Sequence, residues 1–192
     1  MTSVMWPPLR VGAGADELLI RVATADDVPV LERWDVDPDV IACTSDDPNA
    51  EKAFAGAIWP EEIAANSDVS CYYIVELAGR PIAGMQVIDP HLEPTHYWGE
   101  AEENLRAIDI WIGDAGDRNS GHGARMMRAM MAQCFADPAV TAIVIDPLNS
   151  NKNAHRFYQR LGFKVVGRRF FELDDCLVHR LTRAEWEAVH GS

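Results

Sequence analysis

The sequence predicts a mixed α/β fold with a largely antiparallel central sheet, and three observations carry that expectation. Residues 71–77 and 82–88 are β-rich runs joined by Ala78-Gly79-Arg80-Pro81, a turn signal that sets the two runs antiparallel. Residues 142–145 form a short apolar run, the composition of a strand covered on both faces in parallel pairing. Across the second half, such runs alternate with segments whose apolar residues recur at helical spacing.

Residues 1–17 mix Pro7, Pro8, Gly12 and Gly14 with scattered apolar groups and read as a leader that is ordered only in part. Residues 18–192 read as one domain, a length that suits a single hydrophobic core. Residues 18–22 form the first strand. Thr24, with Asp27 three positions on, starts a helix through Val28, Leu31 and Trp34. Between Asp35 and Asn66, Pro38, Pro48 and Pro60 break a helical pattern into two short helices with a polar connection. After the hairpin comes an acidic and aromatic loop at 89–104, and long structureless loops in compact domains are often functional. Residues 105–113 return to strand, with Ile108, Ile110 and Ile112 on one side and Asp109 and Trp111 on the other. A Met-rich helix follows, then the strand at 142–145, ended by Asp146-Pro147. Residues 163–166 and 176–181 complete the sheet, and Thr182 with Glu185 makes a capping box for a last helix around Trp186.

Seventeen Lys and Arg against thirty Asp and Glu give a net charge of −13. That balance disfavours nucleic acid and anionic membranes as partners and suits small cationic ligands. The N-terminus has no basic segment leading into an apolar core, and no run approaches the roughly 18 apolar residues a membrane span needs, so a cytoplasmic protein is expected. Cys43, Cys71, Cys134 and Cys176 are dispersed, without a C-x-x-C pair or a His-rich companion segment; reduced thiols and no metal site are expected.

The segment Arg118-Asn119-Ser120-Gly121-His122-Gly123-Ala124 stands between the strand at 105–113 and the Met-rich helix. Such a loop brings successive backbone N–H groups to an anion at the positive end of a helix, with Gly121 and Gly123 sparing the space of a Cβ. A diphosphate fits this description. The dinucleotide fingerprint fails here, because Met126 stands where its third glycine belongs, and no Gly-Lys-Ser/Thr triplet offers a P-loop. Downstream, Asn151-Lys152-Asn153-Ala154-His155-Arg156-Phe157-Tyr158-Gln159-Arg160-Leu161-Gly162-Phe163 places Ala154, Phe157, Tyr158 and Leu161 on one helical face, with Gly162 suited to the residue after the helix.

These two segments, in this order, resemble the Arg/Gln-x-x-Gly-x-Gly/Ala loop and the N-x-x-A-x-x-x-Y-x-x-x-G-F helix of the GNAT superfamily of N-acetyltransferases. Over nearly all of residues 18–186 the chain is similar to the aminoglycoside 6′-N-acetyltransferases of that superfamily, through Tyr97-Trp98-Gly99-Glu100, Arg106-Ala107-Ile108-Asp109, the loop at 118–124, and Asp146-Pro147 leading to Asn151. The resemblance implies helices on both faces of the sheet, two neighbouring parallel strands that splay apart, and acetyl-CoA as co-substrate without a metal. It further implies that Arg118 to Ala124 hold the pyrophosphate, that backbone donors of Trp111, Ile112 and Gly113 meet the pantetheine arm and the developing oxyanion, and that Tyr158 protonates the departing thiolate. A core tyrosine is the alternative reading of Tyr158, and Asn151 reads equally as a cofactor ligand or a helix cap. For the acceptor, a cationic aminosugar, the resemblance implies Trp98, Glu100, Asp109 and Asp146, the two aspartates binding the ammonium groups and one of them accepting the proton of the attacking amine.

The expected activity is direct acetylation of an aminoglycoside in a ternary complex, at the 6′-amine or, as in kasugamycin, the 2′-amine, conferring antibiotic resistance. Transfer to a siderophore hydroxylysine, polyamine or peptide amine is the alternative within the same chemistry. A noncatalytic CoA-binding sensor is the alternative outside it. The protein is expected as a monomer or homodimer.

Overall fold

The computed structural model describes residues 3–171 and 173–190; residues 1–2 of the expected leader and residues 172, 191 and 192 of the expected domain lie outside the described residues. Eight strands, β1 (Leu9–Val11), β2 (Leu18–Val22), β3 (Ser70–Leu77), β4 (Arg80–Ile88), β5 (Leu105–Ile112), β6 (Ala142–Ile145), β7 (Lys164–Phe171) and β8 (Asp174–Thr182), form one sheet in the order β1-β2-β3-β4-β5-β6-β8-β7. Each pairing is antiparallel except that of β5 with β6. The helices are α1 (Val28–Asp35), α2 (Pro38–Thr44), α3 (Trp59–Ala64), α4 (His122–Ala136), α5 (Lys152–Arg160) and α6 (Arg183–His190).

Both ends of the sheet extend further than the sequence pattern indicates. Leu9–Val11, within the expected leader, is an edge strand against β2, and Val4 is fully buried with its carbonyl accepting the Tyr73 hydroxyl. Three residues are too few for alternation to register. β7 continues through Gly167-Arg168-Arg169, which lack strand-like patterning, because β8 supplies a ladder and Asp175 pairs with Arg168.

Alternation along β3 sets the two layers. Cys71, Tyr73 and Val75 enter the core shared with α4 and α5, whereas Tyr72 and Ile74 enter a second core with Leu31, Trp34, Trp59 and Ile63 of α1 and α3. On α4, Met126, Met127, Met130, Met131, Cys134 and Phe135 are all buried. Each fully buried methionine contributes about 1.5–3 kcal/mol, so the helix axis and its N-terminus are fixed on the sheet.

The register of β5 with β6 stops at Ala107↔Val144, although β5 continues to Ile112. Pro147 has no N–H to extend the ladder, and its carbonyl accepts from Leu177 N of β8 at 3.0 Å. The chain therefore leaves β5 for β8, and a gap opens between the two parallel strands. Among the described residues no helix is long and apolar enough to cross a membrane.

Candidate active site

A cleft of about 1560 Å³ passes through the gap between β5 and β6. On the α4 side it is lined by Asn119, Gly121, Gly123 and Ala124 together with Asn153 and Phe157 of α5; on the α3 side it is lined by Glu62, Tyr72, Gln86, Tyr97 and Asp109. Ile112, Asp146 and Tyr158 stand where the two arms meet.

The loop before α4 is shaped by left-handed backbone at Asn119 (φ 60°) and at Gly121 (φ 82°), the helix N-cap. No side chain caps this end, so the first-turn N–H groups and the positive end of a 15-residue helix face the cleft. Arg118 lines the cleft, and its guanidinium is already engaged within the protein. Its guanidinium donates to Ile112 O (3.2 Å) and Gly113 O (2.6 Å) and pairs with Asp37 (3.2 Å) and Asp39, bracing the loop against α2. Ser120 and His122 do not line the cleft: Ser120 Oγ donates to Arg118 O, and His122 is buried beside Asp117, whose carboxyl is held below its usual range by Arg80 and, to a smaller extent, by His122. Asn151 lies on the cleft wall, and its side-chain oxygen accepts from Ala154 N at 3.0 Å as the cap of α5.

The expected row of backbone donors needs a correction. Gly113 N donates to Ile82 O at 3.0 Å and so is already engaged with β4. In an antiparallel ladder the backbone groups of residues two apart face the same neighbour, so Trp111 also faces β4, opposite Gly84. Ile110 and Ile112 face the gap instead. Gly113 matters for another reason: a Cβ there would lie 1.9 Å from Trp34 Nε1.

On the α3 arm, strand register builds a polar row. Tyr72 is opposite Gln86, and Gln86 is opposite Asp109, so one line of side chains crosses β3, β4 and β5 on the face that carries Trp111. Glu62 of α3 meets the row at Tyr72, whose hydroxyl lies 3.4 Å from its carboxylate. Phe54, Trp59 and Trp111 form an aromatic wall, with the Phe54 and Trp111 rings 4.7 Å apart. Asp109 reaches water through the cleft it lines, yet enclosure by protein pushes its carboxyl up to about 6. Burial, followed by repulsion from Asp109, raises Asp146 to about 7, against the opposing hydrogen bond from Tyr97 and the charge of Arg169. Tyr97 Oη donates to Asp146 Oδ2 at 2.9 Å.

Trp98 and Glu100 do not line this cleft. The Trp98 ring is half-buried with the Arg169 guanidinium 5.2 Å from its centroid, and Glu100 is exposed. Left-handed turns at His96 (φ 53°) and Gly99 (φ 67°) rotate this segment so that Tyr97, stacked on Phe171 at 4.1 Å, meets the cleft instead. Glu62, Tyr72 and Gln86 escaped the sequence reading because they come from separate segments. Gln86 did leave a trace, as the one polar side chain in the run 81–88.

Tyr158 is 8% exposed, and its ring is edge-on to Phe157 (5.0 Å) and Phe163 (5.9 Å). Burial, with added repulsion from Asp109 and Asp146, raises its pKa and keeps the phenol protonated. Burial also raises Cys43, and takes Cys71 to about 11 and Cys134 and Cys176 to about 12. Among the described residues no group of three or more His, Cys, Asp or Glu is placed to hold a metal ion.

Comparison with known proteins agrees with this architecture. Residues 23–171 match the family model described as an acetyltransferase (GNAT) domain. An aminoglycoside N(6′)-acetyltransferase type 1 of Klebsiella pneumoniae is 34% identical over 96 residues, which are 50% of this chain and 48% of that protein; the match thus spans about half of the relative's length. A kanamycin resistance protein of Rhizobium radiobacter is 36% identical over 77 residues, 40% of this chain and 71% of its own. Among solved structures, an uncharacterised protein from Bacillus halodurans shares the fold with a TM-score of 0.80 at 20% identity, over 96% of this chain and 94% of that one. The aminoglycoside acetyltransferase AAC(6′)-Ib, solved in complex with coenzyme A, gives a TM-score of 0.75 at 25% identity over 90% of this chain and 99% of its own.

Proposed function

We propose a function from one premise: the chain belongs to the GNAT acetyltransferase family. It transfers the acetyl group of acetyl-CoA to an amine of a cationic aminosugar antibiotic, the 6′-amine before the 2′-amine, and so protects a bacterium that carries it. The observation that carries this reading is the pair Asp109 and Asp146, two carboxylates with raised pKa on the acceptor arm of a cleft whose other arm ends at an uncapped helix N-terminus.

The residues fit acetyl-CoA. The free N–H groups at Gly121 to Ala124 suit a diphosphate, and the backbone groups of Ile110 with the N–H of Ile112, whose carbonyl is held by Arg118, suit an amide-bearing arm laid alongside β5. When bound, the co-substrate supplies a thioester acetyl group. Asp109, Asp146 and Glu62 attract ammonium groups, while Tyr97, Tyr72 and Gln86 offer hydrogen bonds to hydroxyls and Phe54 and Trp111 cover apolar sugar faces. A primary amine with a pKa of about 10.4 must lose a proton before it attacks. Asp146, at about 7, is matched to accept that proton near neutrality, directly or through water. Tyr158 keeps its proton for the departing sulfur. The raised thiol pKa values support direct transfer over a cysteine-bound route.

The test is a thiol-release assay with kanamycin-type and gentamicin-type aminoglycosides, kasugamycin, a hydroxylysine siderophore precursor, a polyamine and a peptide amine, with product masses recorded. One aminoglycoside gaining a single acetyl group supports the reading. Turnover of the siderophore precursor or polyamine alone replaces the acceptor, and tight CoA binding with no thiol release for any amine identifies a sensor.

A further inference from the structure

Behind Tyr158 lies a histidine pair that the chemistry above does not use. His155 on α5 and His179 on β8 stack with ring centroids 5.1 Å apart and planes 9° from parallel, and His155 Nδ1 lies 2.9 Å from His179 Nε2. His179 is completely buried and His155 is 8% exposed. Two ring nitrogens at that distance need one N–H and one lone pair between them. The outer nitrogens decide which is which. His155 Nε2 lies 3.4 Å from the carbonyl oxygen of Asn149, which can only accept, so the His155 proton belongs on Nε2 and its Nδ1 is the acceptor. His179 then donates from Nε2 and keeps a lone pair on Nδ1, a buried atom with no partner. This arrangement needs a neutral His179. A proton on His179 Nδ1 would bury an N–H and a positive charge that nothing receives, in keeping with a His179 pKa lowered to about 4 by burial and then by His155.

We propose that the His155–His179 hydrogen bond is the positioning device that sets Tyr158 against the cleft. Tyr158 follows His155 by three residues on α5, on the same helical face, and its ring centroid is 6.1 Å from that of His179. Apolar contacts alone tolerate small rotations of a helix, whereas a buried hydrogen bond specifies one seat. The pair also ties in the acceptor side. Asn149, at its outer end, lies in the segment after Asp146 that is bonded to β8 by Leu177 N to Pro147 O (3.0 Å) and Asn149 N to Asp175 O (2.6 Å). Proton donor and proton acceptor therefore share one backing strand. The neighbours of His179 across the sheet, Ile145 on β6 and Val165 on β7, carry no charge, so no other titrating side chain faces it along either strand.

The inference rests on Tyr158 being the proton donor, and a double-mutant cycle separates the two claims. His179→Leu is expected to lower kcat about tenfold while CoA affinity by calorimetry stays within about twofold. His179→Gln, which restores an N–H at the Nε2 position, is expected to recover kcat to within about threefold of the parent. In a Tyr158→Phe background, His179→Leu should cost less than about twofold, because the group it positions is gone. A His179→Leu enzyme with parental kcat, or one losing the same factor with and without the Tyr158 hydroxyl, overturns the positioning role. Tyr158→Phe alone leaving kcat unchanged defeats the donor reading, and this inference with it, in a protein where both histidines are intact. Should His179→Leu not fold, nitrogen NMR of the parent decides. His179 is expected neutral with its proton on Nε2 between about pH 5.5 and 8, and a His179 that titrates there or carries its proton on Nδ1 overturns the inference.

Discussion

Enclosure by the protein raises the carboxyls of Asp109 and Asp146. Asp27 and Asp117, by contrast, are gripped by Arg21 and Arg80, and their pKa values fall. Asp109→Asn and Asp146→Asn should each weaken acceptor binding about ten- to a hundredfold, the worth of one charge-assisted hydrogen bond, with CoA affinity unchanged by calorimetry. Equal losses for both ligands would point to a disturbed fold instead. Because the two carboxylates ionise at about 6 and about 7, kcat/KM should rise over that interval, and Asp146→Asn should flatten the limb when compared with the parent on the same amine. Tyr158→Phe should lower kcat on the order of a hundredfold and leave CoA binding intact; single-turnover measurements decide it. At this scale the sequence was readable where a residue belongs to a local motif. Asp109, Asp146 and Tyr158 do converge on one cleft. Tyr72 and Glu62 do not declare themselves, because their meeting is created by strand register and by α3 folding back over the sheet.

Among the elements, α4 and its leading loop are the most legible, since Gly-x-Gly and a helical methionine stripe are both local signals. Gly121 sits at φ 82° with nothing within 4 Å of a would-be Cβ, so its substitution tests conformation and access rather than crowding. Gly121→Val should cost about 1–2 kcal/mol of stability and at least about tenfold in CoA affinity, whereas Gly121→Asn, which tolerates left-handed backbone, should retain most of the stability. The loop at 89–104 was the least legible. Its acidic and aromatic character was visible, but which of Tyr97, Trp98 and Glu100 turns inward depends on two left-handed residues and on the Phe171 stack, some seventy positions along the chain. The base of this loop is pinned by Asp89, 3.0 Å from the buried Arg106. Asp89→Ala should lower stability by about 3 kcal/mol or more, read from urea unfolding, because it strips a buried cation of a partner.

For the molecule as a whole, the raised carboxylates set a sign for its response to pH. The native state holds protons on Asp109 and Asp146 that the unfolded chain has released, so their contribution is most favourable below the unfolded carboxylate range and is lost as pH rises through about 6 and about 7. Asparagine at both positions should therefore stabilise the protein, by a margin that grows from about pH 4 to about pH 8 and then levels, as reported by urea midpoints. Parent and variant curves that stay parallel across that range would contradict the enclosure of these groups. Alternating strand and helix patterns were enough to anticipate a mixed sheet and the layer to which Trp111 and Asp109 belong, but not β1, which is too short for periodicity, nor the length of β7, which its partner strand dictates.

The strand order has a further consequence. From β1 to β5 each strand lies beside its predecessor in the sequence, so this meander can assemble while the rest of the polypeptide is still emerging from the ribosome. The crevice needs β6 seated between β5 and the distant β8, so it takes shape only after this meander.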